Sequence, residues 1–269
     1  CMLEGLETRL DDALRIAREM GSHALGFFRD QALQVDVKTD GTIVTQVDRD
    51  TERLGCDMIR QAHPEDSILG EEHGQIDGDS PWRWVVDPID GTVSFTRGVP
   101  SFGVLVGLEH EGVPVGGVVH LPALNETAWG GRELGAFHQL GDAPPSPARV
   151  SSTDTLEEAM VCTTSFDYFR DTGREDVHDR LVRACGSTRG WSDCSAVLLL
   201  ATGRIDAVVE PLLSRWDICA PIALIEAAGG KWTDFKGQAD PGCTAAILSN
   251  GHLHEAMLEV VKVVGPGAS

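Results

Sequence analysis

The run Trp84-Val85-Val86-Asp87-Pro88-Ile89-Asp90-Gly91-Thr92 holds the densest set of chemically capable groups in the chain. An apolar, strand-like stretch ends in two aspartates three residues apart, with Pro88 fixing the bend between them. Such a turn can aim both carboxylates and the Ile89 carbonyl into one space. Hard oxygen donors in that arrangement suit Mg2+, which takes carboxylates, waters and substrate phosphate. Gly91 lets the backbone come close. A helix beginning near Gly91-Thr92 would offer free N–H groups to a phosphate oxygen. The same residues also read as an acidic turn, because Asp-Gly is a common turn pair. The segment alone leaves both readings open.

Three other acids stand in comparable places, each with a plain structural explanation. Glu71, in Gly70-Glu71-Glu72, follows a short apolar strand and can be a solvated loop residue. Asp48, in Val44-Thr45-Gln46-Val47-Asp48, can be a partner for a helix dipole. Asp217, in Trp216-Asp217-Ile218-Cys219-Ala220-Pro221, reads as an N-cap, with Pro221 in the first turn where no intrahelical bond is lost. Capping leaves unexplained why Trp216 and a strand-end acid, Glu210, precede it. Upstream, Arg189-Gly190-Trp191-Ser192-Asp193-Cys194 leads into an apolar helix. Asp193 either caps that helix or reads a substrate cation. Glu210 is either a solvated strand end or a second cation reader. His252 and His254 read as exposed helix-start residues, and Phe27 and Phe28 as core.

These side chains need elements to position them. Helical spacing covers Leu6 to Asp30, and a second helix covers Val47 to Gln61, ended by Pro64. Val35 to Val37, Ser67 to Leu69 and Trp82 to Val86 read as strands, with a turn at Lys38-Thr39-Asp40-Gly41. Phe102 to Leu108 and Val113 to His120 form a hairpin about Glu109 to Gly112. Ala128 to Trp129 and Gly135 to His138 add short strands. Pro144, Pro145 and Pro147 break the pattern, which places a boundary between a domain of residues 1–143 and one of residues 144–269. Beyond it strands (Ala159 to Thr163, Ile205 to Val209, Lys231 to Thr233, Ala246 to Leu248) alternate with helices. Those helices cover Asp176 to Cys185, Cys194 to Ala201, Ile218 to Ala228 and Leu253 to Val264. Gly229-Gly230 stops the third of them. The expected class is α+β joined to α/β.

Bulk properties exclude several alternatives. The 269 residues carry a formal charge of −20, from 22 basic and 42 acidic side chains. That argues against binding to a nucleic-acid backbone. No stretch approaches the roughly 20 apolar residues a bilayer span needs, and Glu4, Glu7, Asp11 and Asp12 interrupt any signal-peptide pattern. The 7 cysteines form no CxxC pair, which fits reduced thiols in a cytoplasmic protein. No EF-hand loop supports a calcium buffer.

The segments VTQVD, GEE, WVVDPIDGT and WDICAPIALIEAAGG, in this order, resemble the inositol monophosphatase family of metal-dependent phosphatases, and the match covers nearly the whole chain. The resemblance implies a layered α/β/α/β/α sandwich, a homodimer, and two or three Mg2+ per active site. It implies Glu71, Asp87, Asp90, Asp217 and the Ile89 carbonyl as metal ligands. Asp48 and Thr92 would join Glu71 around the attacking water. The phosphate ester would lie against Asp90, Gly91, Thr92 and Asp217. The run Arg189 to Cys194, and Phe95-Thr96-Arg97-Gly98-Val99-Pro100, are similar to the bacterial histidinol-phosphate phosphatase branch, with Arg189, Asp193 and Glu210 toward the substrate. Ser94 stands where the family often has Asn. The implied substrate is histidinol phosphate. The rivals are inositol 1-phosphate or a sugar phosphate and, from another class, a non-catalytic metal-binding regulator.

Overall fold

Leu6, Leu10, Ala13, Ile16, Ala17, Met20 and Ala24 recur every three or four residues and bury one face of a 20-residue helix, α1 (Leu6–Leu25). The computed structural model describes residues 3–39, 41–190 and 193–262. Asp40, Trp191, Ser192 and Val264, each part of an expectation above, lie outside them. After α1 come β1 (Val35–Val37), β2 (Ile43–Thr45), α2 (Gln46–Ala62), β3 (Ser67–Gly70), β4 (Gly74–Ile76), β5 (Trp82–Asp90) and α3 (Thr92–Thr96). The middle of the chain supplies β6 (Gly103–His110), β7 (Val113–Leu121), β8 (Glu126–Gly131), β9 (Gly135–Leu140) and β10 (Ser146–Pro147). Then follow β11 (Met160–Cys162), α4 (Phe166–Asp171), α5 (Glu175–Ala184), β12 (Ser187–Arg189), α6 (Asp193–Ala201) and β13 (Ala207–Glu210). The last elements are α7 (Arg215–Ala227), β14 (Lys231–Asp234), β15 (Ala246–Ser249) and α8 (His254–Val261).

Two sheets and three helical layers alternate. An eight-stranded sheet runs β10-β9-β8-β7-β6-β5-β3-β4, and a five-stranded sheet runs β12-β11-β13-β15-β14. One face of the first sheet packs on α1 and α2. Its other face packs on α6 and α7, which also touch the second sheet. The core between the sheets draws Leu105 and Val119 from one half of the chain and Leu198 and Ile222 from the other. Helices α5 and α8 cover the outer face of the second sheet. This is the expected α/β/α/β/α sandwich. Helices α6 and α7 are apolar on all sides because each is sandwiched between sheets.

Several details differ from the sequence reading, each for a physical reason. The first helix stops at Leu25, and Phe27 beyond it is 41% exposed, whereas Phe28 packs beside Phe95 and Phe102. The β6–β7 turn is only Glu111-Gly112, both left-handed (φ 51° and 79°), as a two-residue hairpin favours. Glu109 therefore lies within the strand, fully buried. His254 is also fully buried, its ring nitrogens bonded to Thr233 and Ser249 hydroxyls at 3.0 and 2.9 Å. Strand β10 keeps residues just beyond Pro144-Pro145 in the first sheet.

Candidate active site

Strand β5 does not end at Val86 but continues through Asp90. In a regular strand, residues three apart point to opposite faces. Here the pairing with β6 is irregular between Asp87 and Asp90, where Pro88 has no N–H to give. The irregularity turns both aspartates to one side. Gly91, with φ 82°, then ends the strand and starts α3. A side chain at this position would meet Asp193 as well: an added Cβ would stand 2.8 Å from its Oδ2.

Neighbouring elements bring the other acids. Strand β3 runs parallel to β5 with Gly70 beside Val86, and Glu71 N–H donates to the Val86 carbonyl at 3.2 Å. That sets Glu71 next to Asp87. Helix α7 comes down on a paired Gly107 and Gly117, where an added Cβ at Gly117 would sit 2.2 Å from the Ala220 carbonyl. The close approach brings Asp217 to the end of β5. Carboxylate oxygens of Asp87, Asp90 and Asp217 all lie within 4.8 Å of one another. Asp217 is not the N-cap. Ser214 holds that place and Asp217 is the third helical residue, accepting the Ser214 N–H at 2.6 Å. Pro221 consequently lies inside the helix, where it removes the N–H that would have bonded the Asp217 carbonyl.

Asp48 accepts the Thr45 N–H at 2.9 Å at the start of α2, and its other oxygen lies 3.2 Å from the Thr92 hydroxyl. The Thr92 hydroxyl is also 3.1 Å from the Ile89 carbonyl. Thus Asp48, Ile89 and Thr92 meet. On the far side, Asp90 accepts the Cys194 N–H, and Asp193 accepts the Ser94 hydroxyl at 3.2 Å. Asp193 opens α6 with φ 39°. Glu210 is not a solvated strand end. One oxygen accepts the Thr164 N–H and hydroxyl at 2.8 and 3.0 Å, and the other is buried with no partner. Arg189 is exposed at the end of β12, donating to the neighbouring Thr188 carbonyl at 2.7 Å, away from an acid among the described residues.

The electrostatics are lopsided. Burial, then the charges of Glu71, Asp90, Asp217 and Asp48, push Asp87 well above the usual carboxylate range. Burial and then Asp193 and Asp217 do the same to Asp90. Burial raises Asp217 to about 7 and Asp193 to about 6. Glu210 goes well up through burial and through Asp193 and Asp90, despite the Thr164 bonds. Glu71 is raised by burial while Lys38 pulls against it at 2.7 Å.

Two groups here carry no motif. Lys38 bridges Glu71 and Glu72, at 2.7 and 2.6 Å, from the β1–β2 hairpin. Glu52, fully buried on α2, accepts the N–H groups of Glu72 and His73 at 2.8 and 2.7 Å and so holds the loop carrying Glu71. An added Cβ at Gly70 would lie 2.2 Å from the Glu52 carboxylate. The legible signal for Glu52 is its position four residues after Asp48, on the same helix face.

The donor set is oxygen only, buried and crowded with negative charge. That fits a hard divalent cation and not a soft one. Comparisons with known proteins identify the family. The model of the inositol monophosphatase family matches residues 6–264. The chain is 38% identical over 226 residues to a histidinol-phosphatase of Chlorobaculum parvum, covering 84% of this chain and 85% of that one. It is 36% identical over 257 residues to a histidinol-phosphatase of Streptomyces coelicolor, covering 93% and 96%. Among solved structures, the extragenic suppressor protein SuhB of Bartonella henselae superposes with a TM-score of 0.88 at 29% identity, over 96% of this chain and 99% of that one. An IMPase of Thermotoga maritima gives 0.84 at 32%, over 94% and 96%. The chain belongs to the inositol monophosphatase family and is a phosphatase of that family.

Proposed function

We propose that the protein is a Mg2+-dependent phosphomonoesterase that hydrolyses histidinol phosphate to histidinol and phosphate, a step of histidine biosynthesis in the cytoplasm. One observation carries the substrate. Beyond the acids suited to a metal lie two more, Asp193 and Glu210, and the free oxygen of Glu210 is buried with no partner. A buried carboxylate without a cation is costly. An alcohol portion bearing an ammonium and an imidazole would complete these two acids. Inositol hydroxyls have no such charge. Relatives named histidinol-phosphatase, at 36–38% identity, support the reading.

Glu71, Asp87, Asp90, Asp217 and the Ile89 carbonyl would hold two or three Mg2+. The bound cations would offset the phosphate charge and acidify a water. Glu71 and the Thr92 hydroxyl, oriented by Asp48, would align that water for in-line attack on phosphorus. Asp90 would place the water that protonates the departing alcohol oxygen. Gly91 and Thr92, at the start of α3, would position the ester. No covalent phosphoenzyme is required. The protein's part is positioning and charge. The proposal includes a homodimer, which light scattering on the purified protein measures.

A second reading, inositol 1-phosphate or a sugar phosphate as substrate, is favoured by a relative 36% identical over 262 residues, the fructose-1,6-bisphosphatase/inositol-1-monophosphatase of Thermotoga maritima. A phosphate-release screen over small esters with Mg2+ separates them. Histidinol phosphate should give the highest kcat/KM. Turnover of the inositol ester alone would overturn the substrate assignment.

A further inference from the structure

Tyr168 is the only tyrosine in the chain, and the helix that carries it is anchored at its start to an acid of the site. Helix α4, which carries it, begins just after Thr164, and Thr164 is bonded through N–H and hydroxyl to Glu210. The helix start is thereby moored to the buried acid at the end of β13. The Ser165 hydroxyl caps α4 by accepting the Asp167 N–H at 3.2 Å. Phe169 is fully buried in the outer core and fixes the rotation of the helix. The Phe166 ring lies against Gly190, where an added Cβ would be 3.3 Å from it. One residue from Phe169, Tyr168 is half-buried.

The charges that act on its phenol are those of Asp193, Glu210, Asp217 and Asp90, from four different elements, and all four belong to the site. Burial first, and then these charges, raise the phenol to about 12, so it stays neutral. Its hydroxyl makes no hydrogen bond among the described residues. A half-buried aromatic ring, its hydroxyl unbonded among the described residues, is thus carried one turn beyond Thr164 on a helix anchored to Glu210, an acid whose second oxygen lacks a partner. A ring face attracts a desolvated cation and stacks on a planar one.

We infer that Tyr168 is a specificity-determining residue, its ring forming a wall of the subsite for the cationic alcohol portion, with Glu210 and Asp193 as the charged partners. The inference rests on the substrate reading above. It separates the work of the site: the β5 acids serve every phosphate ester, whereas Tyr168 serves only an ester with a cationic, planar group.

The test is steady-state kinetics of the Mg2+-loaded enzyme and its Tyr168→Leu variant on histidinol phosphate and glycerol 2-phosphate. The expected result is a KM for histidinol phosphate raised about tenfold with kcat within about twofold, and an unchanged KM for glycerol 2-phosphate. Equal losses on both esters, or no change on either, would overturn the inference. A wild-type enzyme inactive on histidinol phosphate would overturn the substrate reading and the inference with it. A second measurement needs no variant. Enzyme labelled with 3-fluorotyrosine carries one fluorine, at Tyr168. Its resonance should move when histidinol is added in Mg2+ and phosphate, and a resonance unmoved at saturating histidinol contradicts the contact.

Discussion

Asp66 and Asp87 are buried to nearly the same degree, 4% and 2% exposed, yet they are opposite kinds of carboxylate. Asp66 is surrounded by donors. Arg9 reaches it through two nitrogens at 2.7 and 2.9 Å, Ser80 at 2.6 Å, and the Trp84 indole N–H at 2.9 Å. Burial works against its charge, but these partners overcome burial and hold the carboxyl below its ordinary range. Asp87 lies three residues from Trp84 on the same strand. Its side-chain hydrogen-bond partner among the described residues is the Ile89 N–H at 3.1 Å, and the charges acting on it are those of other acids. Glu109, clamped by Arg83 and Arg215, belongs with Asp66; Asp90, Asp217 and Glu210 belong with Asp87. The difference separates structural acids, which the protein completes itself, from functional ones, which it leaves for a ligand to complete.

Substitutions should break the two kinds in opposite ways. Asp90→Asn removes one of several crowded charges. Activity with Mg2+ should fall about 10³-fold, while the melting temperature without metal holds or rises; near-wild-type turnover would remove Asp90 from the mechanism. Asp66→Asn strands the Arg9 guanidinium. It should cost about 3–5 kcal/mol, or roughly 10 °C in Tm, with kcat per folded molecule unchanged. A variant as stable as wild type would show that the Arg9 pair does not matter.

Glu52 lies between the two kinds. It is buried, and its partners are the N–H groups of the loop carrying Glu71 and the His73 ring, whose Nδ1 lies 2.9 Å away. Glu52→Gln keeps the shape but turns two acceptors into one, so activity should drop about 10–100-fold with a modest change in Tm. Equal activity would place Glu52 among the purely structural acids.

The smallest effect concerns bases. Burial holds His120 and His254 at about 4, with Arg18 and Lys231 adding to it. An unfolded histidine titrates near about 6.5. Between those values the unfolded chain takes up protons that the native one refuses, so these two histidines lower stability as pH drops from about 6.5 toward 4. The site acids contribute in the opposite direction, because their raised pKa values let the native chain take up protons over the same range. Asp66, held low, adds a further loss only at lower pH, through its own depressed pKa. Urea melts of wild type and His254→Gln at pH 7 and pH 5 isolate the histidine's share. On going to pH 5 the variant should lose less stability, or gain more, than wild type, and an equal change in both would clear His254.

The sequence already carried much of this contrast. Apolar spacing marked α1, α2 and most strands, because each buries one face. The Asp87 to Thr92 run, with Asp48, Glu71 and Asp217, stood out through residue type and order. What stayed hidden depends on tertiary placement. Asp217 reads as an N-cap unless Ser214, three residues earlier, is taken as the first half of a capping box. The burial of Glu210 is invisible from a strand end, because Thr164 comes from a distant segment. His254 looks exposed in a polar run, yet two hydroxyls draw it inside. That Asp66 is as buried as Asp87 yet completed by donors is not legible locally; Arg9, Ser80 and Trp84, supplied by other segments, decide it.

The most direct measurement is Mg2+ titration calorimetry of the metal-free protein at pH 7, in buffers of different ionisation enthalpy. Because burial and mutual repulsion raise these acids, metal binding should release protons. About two or three Mg2+ per chain should bind with buffer-dependent heat, and at least one of them should be lost in Asp90→Asn. No Mg2+ heat, or the same isotherm in Asp90→Asn, would contradict the claim that the uncompensated acids form a cation site.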